Sequence, residues 1–278
     1  FLKALRGAEN GGGVRLFKTN GVVERIRAVK DSAELGLLQR AVDIADEALA
    51  EVAPTIEPGV TEAEVALRLE RSMRDRGAEG PSFDTIVAAG PNGALPHHRA
   101  DDTVIGDGQG VVIDMGAVYK GYCSDLTRTV MVGSPDDKFK RVYGTVLRAQ
   151  LAAEEASRSG MGGQDVDAVA RDIIREAGHG EEFGHSLGHG VGLAVHEFPH
   201  VGPRAEDAIG DGMVMTIEPG IYVSGWGGVR IEDMIVMLEM APEARVIESA
   251  LVKQLDIGRT PIREALLRLA ADGLLIAT

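Results

Sequence analysis

The chain has 278 residues, enough for one large domain or a domain with an appended segment, and enough to bury a sizeable core. A 44% hydrophobic and 26% charged composition excludes disordered and fibrous classes, and 43 acids against 29 bases (formal charge −14) argue against a chain built mainly to hold nucleic acid or an anionic membrane. One cysteine, Cys123, excludes an internal disulfide framework and a four-cysteine zinc site, and no apolar run approaches the roughly 18–20 residues of a membrane span.

Phe1-Leu2-Lys3 shows neither a signal pattern nor an initiator Met, so a cytoplasmic protein with a truncated start is expected. Residues 1–30 read as a linker or the remnant of a preceding domain: Gly11-Gly12-Gly13 breaks structure, and the basic stretch Arg25-Ile26-Arg27-Ala28-Val29-Lys30 leads into the first clear helix. Asp31 or Ser32 caps that helix, and Leu37, Leu38, Ala41, Ile44, Ala45, Ala48 and Leu49 recur at helical spacing until Pro54 and Pro58-Gly59 stop it. Thr61 and Glu64 form a capping box for a second helix running to Gly77.

Short β-branched or apolar runs follow at 84–89, 111–117 and 126–132. A second pair of helices is expected over 139–159 and 165–177, broken by Gly160 and ended by Gly178, with strands over 214–223 and 229–238. Gly59 and Gly160, Glu64 and Asp165, and Gly77 and Gly178 each stand 101 residues apart, which suggests two related halves. Helix pairs followed by hairpins, rather than βαβ alternation, predict an α+β domain over 31–247, with a short helical tail over 248–278.

The strand-like runs hold carboxylates in apolar surroundings: Asp114 in Val111-Val112-Ile113-Asp114-Met115-Gly116, Asp125 eleven residues on, Glu218 after Met215-Thr216-Ile217, and Glu232 in Val229-Arg230-Ile231-Glu232-Asp233-Met234. One strand acid usually faces solvent; four facing one another would repel unless cations compensate. Two divalent ions and one imidazole would make of them a site that polarises a carbonyl and activates water. The glycine-flanked run His185-Ser186-Leu187-Gly188-His189-Gly190-Val191-Gly192-Leu193-Ala194-Val195-His196, with His97-His98 after Pro96, supplies imidazoles for ligation or proton handling.

Other motifs fall away. His196-Glu197-Phe198-Pro199-His200 has the letters of a helical zinc motif, but Pro199 inside the would-be turn argues against helix. Gly106-Asp107-Gly108-Gln109-Gly110 precedes a strand instead of opening a helix and reads as a turn, Ser186 lacks a nucleophile elbow, and Cys123 reads as a small packing residue.

At these residues the chain resembles the pita-bread metallopeptidases, the family of methionine aminopeptidases, Xaa-Pro aminopeptidases and prolidases. The likeness covers roughly residues 25–240 and is dense at Asp114-Met115-Gly116, Gly121-Tyr122-Cys123-Ser124-Asp125-Leu126-Thr127-Arg128-Thr129, the histidine run, Thr216-Ile217-Glu218-Pro219-Gly220 and Gly228-Val229-Arg230-Ile231-Glu232-Asp233. The resemblance implies the pita-bread (creatinase/aminopeptidase) fold of two pseudo-symmetric halves. It implies that Asp114 binds one metal, His189 and Glu218 the other, and that Asp125 and Glu232 bridge both. Glu218 would also shuttle protons, and His196 and His97 would contact substrate and the developing oxyanion. Arg230, two residues before Glu232, is expected to hold that carboxylate. Mn²⁺ or Co²⁺ is the expected metal, with Zn²⁺ or Fe²⁺ as alternatives.

Thr127-Arg128-Thr129, Leu95-Pro96-His97 and the extra histidine His185 resemble the Xaa-Pro branch, which implies a proline-containing peptide substrate, with His185 as a substrate-binding residue. Methionine aminopeptidase activity is the alternative within the family, and a homodimer is one expected assembly. The tail from Ser249 to Leu274 resembles two helices of a GntR-type winged helix-turn-helix, so a DNA-binding regulator with a pita-bread sensor is the alternative outside it. Across 248–278 four bases balance four acids, and no wing follows before Thr278, so nucleic-acid and membrane partners are not expected.

Overall fold

The structure, a computed structural model, describes residue 19 and residues 21–237. The helical tail expected over 248–278, the boundary at 247 and most of the linker read over 1–30 lie outside the described residues. Within that linker, Val22–Ala28 forms a short helix, α1. Gly21, left-handed at φ 71°, starts it without a side-chain cap, so the sequence carries no start signal there.

The long helix α2 (Ser32–Val52) begins where expected: Asp31 accepts from the N–H groups of Ala33 and Glu34, and Glu34 returns the bond to the Asp31 N–H. Its Leu38, Ala41, Ile44, Ala45 and Ala48 face inward together. Thr61 and Glu64 make the same box for α3 (Glu62–Asp75). The strands then follow as β1 (Gly80–Pro81), β2 (Ile86–Ala89), β3 (Gln109–Met115), β4 (Ala117–Tyr119), β5 (Tyr122–Cys123) and β6 (Leu126–Val132). Antiparallel β2-β3-β6 forms one sheet, in which Asp114 stands between Ile86 and Thr127, and β1-β4-β5 forms a smaller one.

The second half repeats the plan. Helices α4 (Asp137–Ala156) and α5 (Gly163–Glu176) precede β7 (Gly188–Gly190), β8 (Glu197–Val201), β9 (Val214–Ile217), β10 (Gly220–Val223), β11 (Gly227–Arg230) and β12 (Asp233–Val236). The main sheet runs β8-β7-β9-β12, and β10-β11 form a separate hairpin. Two expected strands therefore each divide: 214–223 breaks at Glu218-Pro219 and 229–238 breaks at Ile231-Glu232. Pro219 has no N–H to give a ladder, and Glu232 spends its own on the other half of the molecule.

The internal repeat extends to single bonds. Gly59 and Gly160 both have positive φ, 103° and 90°, as do Gly77 and Gly178, 99° and 88°. The Gly59 N–H reaches the Ile105 carbonyl as that of Gly160 reaches Ile209, and the Thr61–Val104 bridge matches Gly162–Ala208. Each half has its own apolar core, one from Ile44 to Val132 and one from Phe139 to Met237. The halves join at a bridge between Thr127 and Glu232.

Candidate metal centre

That seam is where the polar side chains gather. Asp114 lies next to the end of β3, Asp125 between β5 and β6, His189 at the middle of β7, Glu218 just after β9 and Glu232 between β11 and β12. All five line one cavity of about 1280 Å³, and His97, His185 and His196 stand on its walls. Three of the four acids thus sit at strand junctions, two of them, Glu218 and Glu232, at breaks within the expected strands 214–223 and 229–238. There the backbone is released from the ladder and can aim a side chain inward.

His189 Nδ1 lies 3.1 Å from the Gly190 carbonyl, which can only accept, so Nδ1 carries a proton and Nε2 faces the cavity, where giving up its own proton would free a lone pair for a metal. Nε2 is 3.3 Å from Glu218 Oε1 and 3.6 Å from Asp125 Oδ2. Asp125, His189 and Glu232 each offer a ligand atom within 4.8 Å of the others. Asp114 Oδ2 accepts from Arg230 Nη2 at 2.5 Å, and its buried Oδ1 has no hydrogen-bond partner among the described residues.

Burial, followed by repulsion from Glu232, Asp114 and Glu218, pushes the Asp125 carboxyl well above the usual range. Glu232 is pushed well up by burial and then by Glu218 and Asp114. Burial also raises Asp114, against the pull of Arg230. For Glu218 burial works upward, but the hydrogen bond and charge of His189 prevail and hold it low; for His189 the same bond prevails over burial and raises it. Such an arrangement is short of positive charge. Four clustered carboxyls, one imidazole nitrogen turned toward them and a buried carboxylate oxygen without a hydrogen-bond partner among the described residues fit divalent cations held mainly by oxygen.

Arg230 departs from expectation. It holds Asp114, and its Nε donates to Thr127 Oγ1 at 3.1 Å, while Glu232 is held by the Thr127 hydroxyl at 2.6 Å. The two-residue spacing misled because β11 ends at Arg230, so strand alternation does not continue to Glu232. His185 lines the cavity with both ring nitrogens engaged: Nδ1 donates to the Ser186 carbonyl and Nε2 accepts from the Tyr222 hydroxyl, each at 2.8 Å. Burial, the foremost cause, lowers its pKa. Of the adjacent pair, His98 is bonded to buried Glu62 at 2.6 Å. Of the run His196-Glu197-Phe198-Pro199-His200, the last four residues lie on extended β8 and none is in a helix.

Three supporting side chains escaped the sequence reading. Thr127 stands within a quoted motif, but its contacts cross between halves. Tyr222, four residues after Glu218, accepts from Arg230 Nη1 at 2.8 Å while serving His185. Asp167, buried on α5, holds the Leu187 N–H and Arg171, which in turn grips the carbonyls of Phe183 and His185. A carboxylate on the inward face of a predicted helix was the available signal.

Comparison with known proteins agrees with this geometry. The sequence signature of metallopeptidase family M24 matches residues 36–239, and that of the gntR family of bacterial regulatory proteins matches 228–278, most of which lies outside the described residues. A Xaa-Pro dipeptidase of Pyrococcus furiosus is 47% identical over 222 residues, covering 80% of this chain and 64% of the relative. That of Pyrococcus horikoshii is 48% identical over 220 residues, 79% and 63% of the two. The chain thus spans a little under two thirds of these relatives. Among solved structures, a Xaa-Pro dipeptidase from Bacillus anthracis superposes with a TM-score of 0.80 at 46% identity, covering 85% of this chain and 67% of that one. An X-Pro aminopeptidase from Thermotoga maritima gives 0.81 at 44% identity, over 86% and 68%.

Proposed function

The chain belongs to metallopeptidase family M24, with its pita-bread fold, and on that premise we propose that it hydrolyses the bond between an N-terminal residue and proline. One observation carries the reading: five potential ligands from both halves converge on a cavity in which Asp114 Oδ1 is buried and has no hydrogen-bond partner among the described residues. In this reading Asp114 would hold one ion, His189 and Glu218 a second, and Asp125 and Glu232 would serve both. Oxygen-rich ligation favours Mn²⁺ or Co²⁺ over Zn²⁺ or Fe²⁺. Such ions would polarise the scissile carbonyl and make the attacking water more acidic.

The chain's own groups do the rest. Glu218 takes the proton of the water and passes it to the leaving nitrogen, while His97 and His196 contact the substrate and the developing oxyanion. A bond to proline has no N–H, so recognition falls to ring packing and neighbouring carbonyls. His185 takes that role in this reading, supported by a ring held by Tyr222 and Ser186 and by Phe183, which stands edge-on to it with centroids 5.1 Å apart. The names of the relatives support the same branch. A cytoplasmic setting agrees with a single buried, unpaired cysteine, and a homodimer remains part of the proposal.

Metal analysis alongside turnover of Ala-Pro and Met-Ala peptides tests this reading. The expected result is bound divalent metal, loss of activity on chelation with recovery in Mn²⁺ or Co²⁺, and preference for Ala-Pro. Full turnover by rigorously metal-free protein would overturn the mechanism, and preference for Met-Ala would move the chain to the methionine branch.

A further inference from the structure

His196 lines the cavity, but its neighbour Glu197 does not. Both Glu197 oxygens are taken by cations from the stretch before α2: Arg27 Nη2 donates to Oε2 at 2.5 Å and Lys30 Nζ to Oε1 at 2.8 Å. The side chains of Lys30 and Glu197 are only 1% and 7% exposed. Neither charge would be tolerated there without the other. Lys30 is also anchored through its backbone, its N–H donating to the Gly212 carbonyl at 2.8 Å beside the Val29–Met213 bridge. It is therefore fixed to the turn that opens β9.

A tight turn closes over the Glu197 carboxylate. A Cβ at Gly192 would stand 2.2 Å from Glu197 Oε1, so only glycine lets the backbone come so near. The Gly192 N–H donates to the Ala194 carbonyl at 3.1 Å, and its own carbonyl accepts the Cys123 N–H at 2.8 Å. The few residues from Gly192 to His196 are thus wrapped around a buried ion pair. At their end the His196 ring stands edge-on to His189, centroids 4.3 Å apart, and forms no hydrogen bond among the described residues. Its place depends on the backbone that carries it.

We propose that Lys30, with Arg27, is a positioning residue for the reaction: paired to Glu197 beneath the Gly192 turn, it fixes the backbone from which the His196 imidazole reaches the metal centre. The proposal rests on the reading of the site given above. Arg27 and Lys30 both precede the stretch matched to the family, residues 36–239, so a segment outside that stretch sets the place of a side chain at the heart of it.

The test uses the full chain loaded with Mn²⁺, acting on Ala-Pro, with Lys30→Met and Lys30→Arg made both alone and on top of His196→Ala. Misplacing a reacting group by about 1 Å can cost about a hundredfold, so Lys30→Met should lower kcat by about ten- to a hundredfold with KM and metal content unchanged. Lys30→Arg should restore most of it. In the His196→Ala background Lys30→Met should cost less than about twofold, because the residue it positions is gone. Metal-free Lys30→Met should also show faster amide exchange across 191–198. If Lys30→Met does not fold, the doubly neutral Lys30→Met/Glu197→Gln variant, which leaves no stranded carboxylate, takes its place with the same expectations. An undiminished loss in the His196→Ala background, or unchanged exchange across 191–198, overturns the proposal. Wild-type chain that binds Mn²⁺ yet leaves Ala-Pro intact refutes the functional reading instead, and the exchange comparison then decides the clamp.

Discussion

Thr127 meets Glu232 twice across the seam between the halves: its carbonyl accepts the Glu232 N–H at 3.1 Å, and its hydroxyl donates to Glu232 Oε2 at 2.6 Å. The same hydroxyl accepts Arg230 Nε at 3.1 Å. One small side chain thereby aims a proposed bridging carboxylate and steadies the arginine that holds Asp114.

Thr127→Val keeps the shape and removes that hydroxyl. A buried group left without its partner costs roughly 1–3 kcal/mol of stability, and loss of a group that orients a ligand lowers metal affinity by about 10- to 100-fold. Calorimetric titration with Mn²⁺ and thermal unfolding of the variant measure both. Wild-type affinity in Thr127→Val would show that the hydroxyl does not orient Glu232.

The metal-free protein should lose thermal stability as pH rises beyond the ordinary carboxylate range. Asp125 and Glu232 have pKa values raised by burial first and by neighbouring carboxylates second. A group raised on folding supports the fold while protonated, and that support is lost as pH climbs through the raised value. Mn²⁺ should reverse the loss, since binding displaces those protons. Melting curves of chelated and loaded protein from about pH 5 to about pH 8 check the sign. A chelated sample that gains stability over that span contradicts it.

Tyr222→Phe removes the proton donor to His185 Nε2 and the acceptor of Arg230 Nη1. Loss of an orienting hydroxyl of this kind should lower turnover of Ala-Pro by about tenfold, with metal still bound. His185→Ala should damage Ala-Pro cleavage more than any residual Met-Ala cleavage. Equal losses on the two peptides would remove His185 from proline recognition.

Much of this was legible in the sequence because it is local. An N-cap at Asp31 or Ser32 and a capping box at Thr61 announce two helices, and the 101-residue spacing of glycines announces the repeat. The five proposed ligands stand in short motifs that read without a structure. What stayed hidden depends on pairing between distant strands: the Thr127 bridge, the Tyr222 hydroxyl and the true partner of Arg230. Strand alternation led to Glu232 as that partner, and the end of β11 at Arg230 breaks the alternation.

The segment matched to gntR regulators should not confer duplex binding. The chain carries a formal charge of −14, and across 248–278 bases and acids balance, so the electrostatic attraction that dominates DNA affinity is weak. Removing residues 249–278 should leave Ala-Pro cleavage largely intact. Sequence-specific duplex binding at physiological salt, abolished by that deletion, would reverse this conclusion.

The repeated scaffold does not carry repeated chemistry. One period beyond Asp114 stands Met215, and one period beyond His97 stands Phe198. Asp114 and Asp125 belong to the half with the first core, while His189, Glu218 and Glu232 belong to the half with the second. The connection Gly133-Ser134-Pro135-Asp136 links β6 to α4. Severed there, the molecule would become two self-cored pieces, each holding an incomplete donor set. Recovery of peptide cleavage on mixing would then report their reunion, making the protein a natural substrate for fragment complementation.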